Sequence, residues 1–369
     1  MMDRRQILAG AAMAAGAAGA ACAATWPRPA SARAGFAPQP GGWRTFEITT
    51  RTELPGGDAQ VWVPLPSATE TDWFRSLPST WTTIGAGATV RRDSRYDAEF
   101  LHVTFPAGTK PVLEVTSRVQ TRDRHVDLTR PAGAPGLPDA ERHLYLGATD
   151  LIPTDGIVKE TADRIVAGAA GEVERARRIY EWVVVNTFRD AAARGCGTGD
   201  VATMLRSGHL GGKCADLNAL FVGLARAAGL PARDVYGVRI APSRFGYRSL
   251  GANTETVTTA QHCRAEVFLS GFGWVPADPA DVRKVSLEER PGGSSLADEA
   301  VTAARRALFG AWEGNWLAYN VAHDVILPGA AGPKLAFLMY PQAEVGGVRL
   351  DCLDPGSFAY GLRAKEITV

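Results

Sequence analysis

Cys214 follows a Gly-Gly turn in the run Gly211-Gly212-Lys213-Cys214-Ala215-Asp216 and stands at the start of an apolar-periodic stretch. Leu217, Leu220, Phe221, Leu224, Ala225 and Ala228 recur at helical spacing, and Gly229 with Pro231 ends the run. The spacing predicts a helix with Cys214 in its first turn. Unpaired backbone N–H groups and the positive end of the helix dipole favour a thiolate there. The thiolate is the nucleophilic form of cysteine, so the position suits covalent acyl transfer.

A second motif, Gln261-His262-Cys263-Arg264-Ala265-Glu266-Val267, is followed by Gly273-Trp274-Val275-Pro276-Ala277-Asp278-Pro279. The pattern predicts a strand over 262–269, a glycine turn and a second strand ending at Asp278. A hairpin folds back on itself, so His262 and Asp278 meet at its open end. In that arrangement Cys214 attacks an acyl carbon, His262 takes and returns the proton, and Asp278 fixes the tautomer and orientation of the ring.

Three motifs in this order are specific as a set: Gly-x-Cys-x-Asp on a helix ending in Gly-Leu-Pro-Ala-Arg, then His-x-x-x-Glu-Val, then Gly-Trp-Val-x-x-Asp-Pro. Over residues 140–285 the chain resembles the transglutaminase-like superfamily. The resemblance implies papain-like thiol chemistry with the chain order Cys, His, Asp. It places the nucleophile on Cys214, the base on His262 and the orienting acid on Asp278. Cys263 departs from the pattern, since a small or apolar residue is expected there.

These residues need a frame. The chain has 369 residues, enough for two or three domains. The expected fold is α+β, with a transglutaminase-like (papain-like) core at 140–290 preceded by an antiparallel, Ig-like β-sandwich at 40–128. Phe46, Ile48, Thr50, Thr52 and Leu54 alternate with polar neighbours, and Leu113, Val115, Ser117 and Val119 share one face of a later strand. Pro131, Gly133, Pro135, Gly136 and Pro138 form a linker. Helices over 157–167 and 172–189 are expected to pack around the Cys214 helix. The 291–369 segment reads as a helix plus strands packed on the core. The long loop at 237–259 should lie beside the cleft and select the substrate.

Residues 1–34 read as a twin-arginine-type signal peptide, with Arg4-Arg5, an alanine- and glycine-rich run, and a cleavage site at Ala32-Arg33-Ala34. The expected product is an exported, periplasmic or extracytoplasmic protein with no membrane span in its mature chain. An uncleaved anchor is the alternative. Forty basic and 39 acidic residues leave no global field to attract nucleic acid or anionic lipid. His102, His125, His143, His209, His262 and His323 are scattered, and no Cys-x-x-Cys occurs, so neither a metal nor a cofactor is expected.

With Cys22 removed by cleavage and Cys214 kept for chemistry, a Cys196–Cys263 disulfide is one expectation and three buried thiols the other. Strand alternation places Cys263 opposite His262 and hence away from the cleft. The functional expectation is a thiol enzyme acting on an amide bond of a peptide or protein, by hydrolysis in preference to transfer to an amine. A catalytically silent scaffold that binds a periplasmic peptide or glycan is the competing reading.

Overall fold

The computed structural model describes residues 35–68, 70, 72–84 and 87–368. The expected signal peptide and Cys22 lie outside the described residues. Antiparallel strands come first: β1 (Arg44–Glu53), β2 (Ala59–Pro64), β3 (Phe74–Ser76), β4 (Thr80–Thr83), β5 (Gly87–Arg92), β6 (Glu99–Phe105) and β7 (Val112–Thr121). Period two governs their burial. Phe46, Ile48, Thr50 and Thr52 of β1 turn inward, as do Leu113, Val115, Ser117 and Val119 of β7.

The helical layer follows: α1 (Asp139–Leu146), α2 (Gly156–Val166), α3 (Glu172–Asn186), α4 (Val201–Ser207) and α5 (Cys214–Ala227). Every residue of α5 is buried, because α2, α3 and α4 pack around it on one side and a sheet on the other. Leu217, Leu220, Phe221 and Leu224 are fully enclosed, each contributing about 1.5–3 kcal/mol of apolar burial. Cys214 at the mouth of this helix is therefore held by a rigid element.

The sheet consists of β8 (Ala232–Arg239), β9 (Gln261–Leu269), β10 (Gly273–Ala277) and β11 (Trp316–Asn320), in the order β10-β9-β8-β11 and antiparallel throughout. Helices α6 (Pro279–Glu288) and α7 (Glu299–Ala307) come between β10 and β11. Ala265 and Val267 of β9 face α5 and share its apolar core.

The last segment divides between the two layers. β11 joins the core sheet beside β8. Beyond it, β12 (Gln342–Val345), β13 (Val348–Arg349) and β14 (Tyr360–Ile367) enter the sandwich instead. One sheet runs β14-β1-β7-β3, with β4 also on β7, and the other runs β13-β12-β2-β6-β5. Residues 40–128 thus make only part of the sandwich. The reason is edge satisfaction: β14 covers the open hydrogen-bonding edge of β1, and β12 that of β2. Leu362 and Ala364 pack with Phe46 and Ile48, while Ala343 and Phe358 pack with Val61 and Val103. Among the described residues no helix is long and apolar enough to cross a membrane.

Candidate active site

Asp216, in the first turn of α5, fixes the approach to Cys214. One of its oxygens accepts the Lys213 N–H at 2.9 Å, and the other accepts the Thr198 and Gly199 N–H groups, each at 2.9 Å. The 195–199 glycine loop is therefore a seat for this carboxylate. Gly197 has φ +95°, and a Cβ there would lie 1.7 Å from an Asp216 oxygen, so only glycine fits. The Ala215 N–H donates to the Cys196 carbonyl at 2.8 Å, which ties the loop to the helix mouth.

The histidine side is built from charges that satisfy one another. His262 Nε2 lies 2.7 Å from Asp278 Oδ2. Asp278 is the N-cap of α6: its Oδ1 accepts the Asp281 N–H at 3.0 Å, and Pro279 follows in the first helical turn. One carboxylate thus caps a helix and holds the imidazole. Asn218, one turn along α5 from Cys214, donates to Asp278 Oδ1 at 3.2 Å and to the Cys263 carbonyl at 2.8 Å. It also accepts the Ala280 N–H at 3.3 Å, so helix, strand and cap are pinned at one point. Trp316 Nε1 donates to the His262 carbonyl at 3.0 Å.

Asp281 reads from sequence as a surface charge or a supporting tie. It is 1% exposed, bonded to Arg239 at 2.5 Å, with its other oxygen 3.4 Å from His262 Nε2. Burial and the Arg239 charge push the His262 pKa down, but Asp281, Asp278 and the hydrogen bond to Asp278 outweigh them and raise it to about 9. Burial and the neighbouring Asp281 raise the Asp278 carboxyl, against the pull of His262. Asp281 itself is lowered: burial opposes ionisation, but Arg239 and His262 prevail.

On the thiol side Cys263 is fully buried and does not line the cleft, yet its Sγ lies 3.8 Å from the Cys214 Sγ. Alternation along β9 holds, but α5 packs on the face that carries Cys263, Ala265 and Val267, so Cys263 meets the helix mouth. His262, at the open end of the strand, acts on the same thiol by hydrogen bonding and charge. Cys196 joins them, and the three sulfurs lie within 4.8 Å of one another. The four described cysteines are free, with no Cys196–Cys263 disulfide. Hydrogen bonds from Cys196 and then Cys263, with His262 adding, hold the Cys214 thiol well below its ordinary pKa despite burial. Burial, first among its causes, pushes Cys263 up. The hydrogen bond to Cys214 does the same for Cys196.

Cys214 and His262 line a cleft of about 590 Å³. Its walls come from Thr254, Thr256, Thr258 and Thr259 of the long loop and from Tyr340, Leu353, Phe358 and Tyr360 of the last segment. Arg189, Lys213 and Lys284 also line it, and among the described residues no carboxylate does. Gln261 lines the cleft beside His262, and its Nε2 is buried without a hydrogen-bond partner among the described residues. Sequence reasoning overlooks Asn218 and Gln261. Their signals were positional: Asn218 sits four residues after the cysteine on the same helix face, and Gln261 directly precedes the histidine.

An α+β core with a cysteine at the mouth of its central helix and a His–Asp pair on the adjoining sheet defines the papain-like class of thiol enzymes. Residues 159–279 match the transglutaminase-like superfamily. A Haemophilus influenzae protein, itself described only as uncharacterized, is 38% identical over 330 residues, covering 84% of this chain and 87% of that one. The chain belongs to the transglutaminase-like superfamily of cysteine-dependent enzymes. Among solved structures it is similar to a candidate cysteine protease of Cytophaga hutchinsonii (TM-score 0.48, 16% identity, covering 88% of this chain and 99% of that one). It is also similar to the periplasmic domain of TgpA from Pseudomonas aeruginosa (TM-score 0.34, 14% identity, covering 64% and 87%).

Proposed function

We propose that this protein cleaves an amide bond of a peptide or protein through an acyl-enzyme on Cys214, with His262 as acid and base and Asp278 as its orienting group. The observation that carries the reading is the buried His262–Asp278 hydrogen bond of 2.7 Å, set beside Cys214 at the cleft. With Nε2 held by Asp278, Nδ1 is the ring nitrogen left for the thiol. The Cys214 sulfur adds to the acyl carbon as a thiolate, its proton already resting on His262. His262 then gives the proton to the departing amine, leaving a thioester. Water attacks the thioester with His262 as base, releasing the carboxylate and restoring the thiol.

Charge on the tetrahedral oxygen needs donors. The Cys214 backbone N–H at the helix mouth supplies one, and Gln261 Nε2, buried and unpaired at the cleft, is the candidate for the second. The basic lining favours neutral or acidic peptides over basic ones. Hydrolysis is favoured over transfer because the cleft is open to water, which needs no site of its own. The protein acts outside the cytoplasm, a reading that rests on the twin-arginine motif of residues 1–34; N-terminal sequencing of the exported protein should begin near Gly35.

The test is labelling of Cys214 by a peptide carrying a thiol-reactive acyl group, followed by a screen of peptide amides with the wild type and Cys214→Ala. Product mass with and without excess primary amine separates hydrolysis from transfer. Wild-type turnover by Cys214→Ala on a substrate found this way would end the proposal.

A further inference from the structure

Two of the three thiols that meet at the helix mouth form no bond to the substrate in the proposed acyl transfer. Cys196 comes from the glycine loop, Cys214 from the first turn of α5 and Cys263 from β9, so three separate rigid elements aim sulfur at one point. All three sulfurs lie within 4.8 Å of one another, with Cys214 and Cys263 at 3.8 Å. Two thiolates bound tetrahedrally to one zinc ion at about 2.3 Å each stand about 3.8 Å apart. The spacing is therefore that of ligands sharing a metal, reached with little movement.

We propose that Cys196, Cys214 and Cys263 form a binding site for a thiophilic divalent cation of the Zn²⁺ type, and that its occupancy blocks the Cys214 thiol. An all-sulfur set selects such ions over Ca²⁺ or Mg²⁺, which demand oxygen ligands. Cys196 and Cys214 line the cleft, whereas Cys263 is fully buried beneath them. An ion enters from the cleft, and its fourth position faces the cleft, where water completes the tetrahedron. Binding replaces three S–H protons by one cation, so it releases up to three protons and weakens as the pH falls. The scattered cysteines of the sequence conceal this site, because none of the three is spaced as a zinc motif.

The blocking consequence rests on Cys214 being the nucleophile; the binding itself does not. The test therefore reads metal first. The reduced full chain is titrated with Co²⁺ without oxygen, and the thiolate-to-cobalt charge-transfer absorption is followed, then displaced by Zn²⁺. The expected result is one ion per chain with an intensity corresponding to three thiolates, a value measured on the wild type without reliance on any variant. Cys196→Ser and Cys263→Ser should each remove about a third of the intensity and weaken Zn²⁺ at least tenfold, while Cys352→Ser changes neither. Stoichiometric Zn²⁺ should also abolish labelling of Cys214 by the acyl probe, and a chelator should restore it. Absorption without thiolate character, or an undiminished affinity in Cys263→Ser, overturns the site. Loss of turnover in Cys214→Ala is read separately, so the catalytic reading and the metal site stand or fall independently.

Discussion

The two flanks of Cys214 are built on opposite principles. On the histidine flank, His262, Asp278, Asp281 and Arg239 are all nearly inaccessible, and each has an opposite charge in contact. On the other flank lie two further thiols, and the Asp216 carboxylate beside them is held by backbone N–H groups. Charges buried without partners cost several kcal/mol, so the first flank is a network whose geometry is fixed by its own satisfaction. Thiols need no such partners, so the second flank is held by packing and by the glycine loop. In the proposed reaction one side orients a proton acceptor, and the other tunes the sulfur. They should therefore fail differently.

The largest expected effect is on the shared element. Cys214→Ala should reduce turnover about 10⁴-fold or more with little change in unfolding temperature, and His262→Ala should match it. Steady-state rates and a melting curve on the same preparations check this. Next comes the orienting acid. Asp278→Asn should cost about 10²–10⁴ in kcat by changing the tautomer that the ring presents. If Asp278→Asn were harmless while Cys263→Ser abolished turnover, the comparison would be inverted. Gln261→Ala should lower kcat by about 10²–10³, the usual loss of one oxyanion donor, with KM nearly unchanged.

On the thiol flank the effect should be on stability instead. Gly197→Ala places a methyl group against the Asp216 carboxylate at a positive φ, and denaturant unfolding should show a loss of about 2–4 kcal/mol. The smallest effect concerns a buried acid outside both flanks. Among the described residues neither Asp234 oxygen has a hydrogen-bond partner, the nearest basic group being His323 Nε2 at 3.5 Å, and burial raises the Asp234 pKa to about 7, with the Arg226 charge opposing. The folded state therefore holds this proton more tightly than the unfolded chain does. Its contribution is greatest below pH 4 and is lost as pH rises towards 7. Stability measured from pH 5 to pH 8 should decline, and Asp234→Asn should flatten that slope by on the order of 1–3 kcal/mol.

What the sequence disclosed follows the range of the interaction. The helix carrying Cys214 and the hairpin joining His262 to Asp278 are local patterns, and the structure brings Cys214 and His262 to one cleft, with Asp278 bonded to His262 and buried behind it. The direction of Cys263 depends on which face of β9 the helix α5 covers, a tertiary fact that alternation alone does not contain. The sequence leaves Asp281 open between a surface charge and a supporting tie, because its partner, Arg239, lies on a strand of the core sheet. Asn218 shares the helix face of Cys214, but the two distant segments that it joins are not marked locally. The division of the last segment between core and sandwich depends on which strand edges stand open once the rest has folded.

That division governs timing. Arg44 of β1 bonds Glu366 of β14, 322 positions later. At ribosomal rates of about 5–20 residues per second, β1 waits on the order of 15–60 s for the strand that covers its edge. The cleft walls at Tyr340, Leu353, Phe358 and Tyr360 arrive in the same closing moments. A nascent chain therefore already carries Cys214 while it still has no groove to grip a substrate, so competence for the proposed chemistry arrives together with completion of the fold.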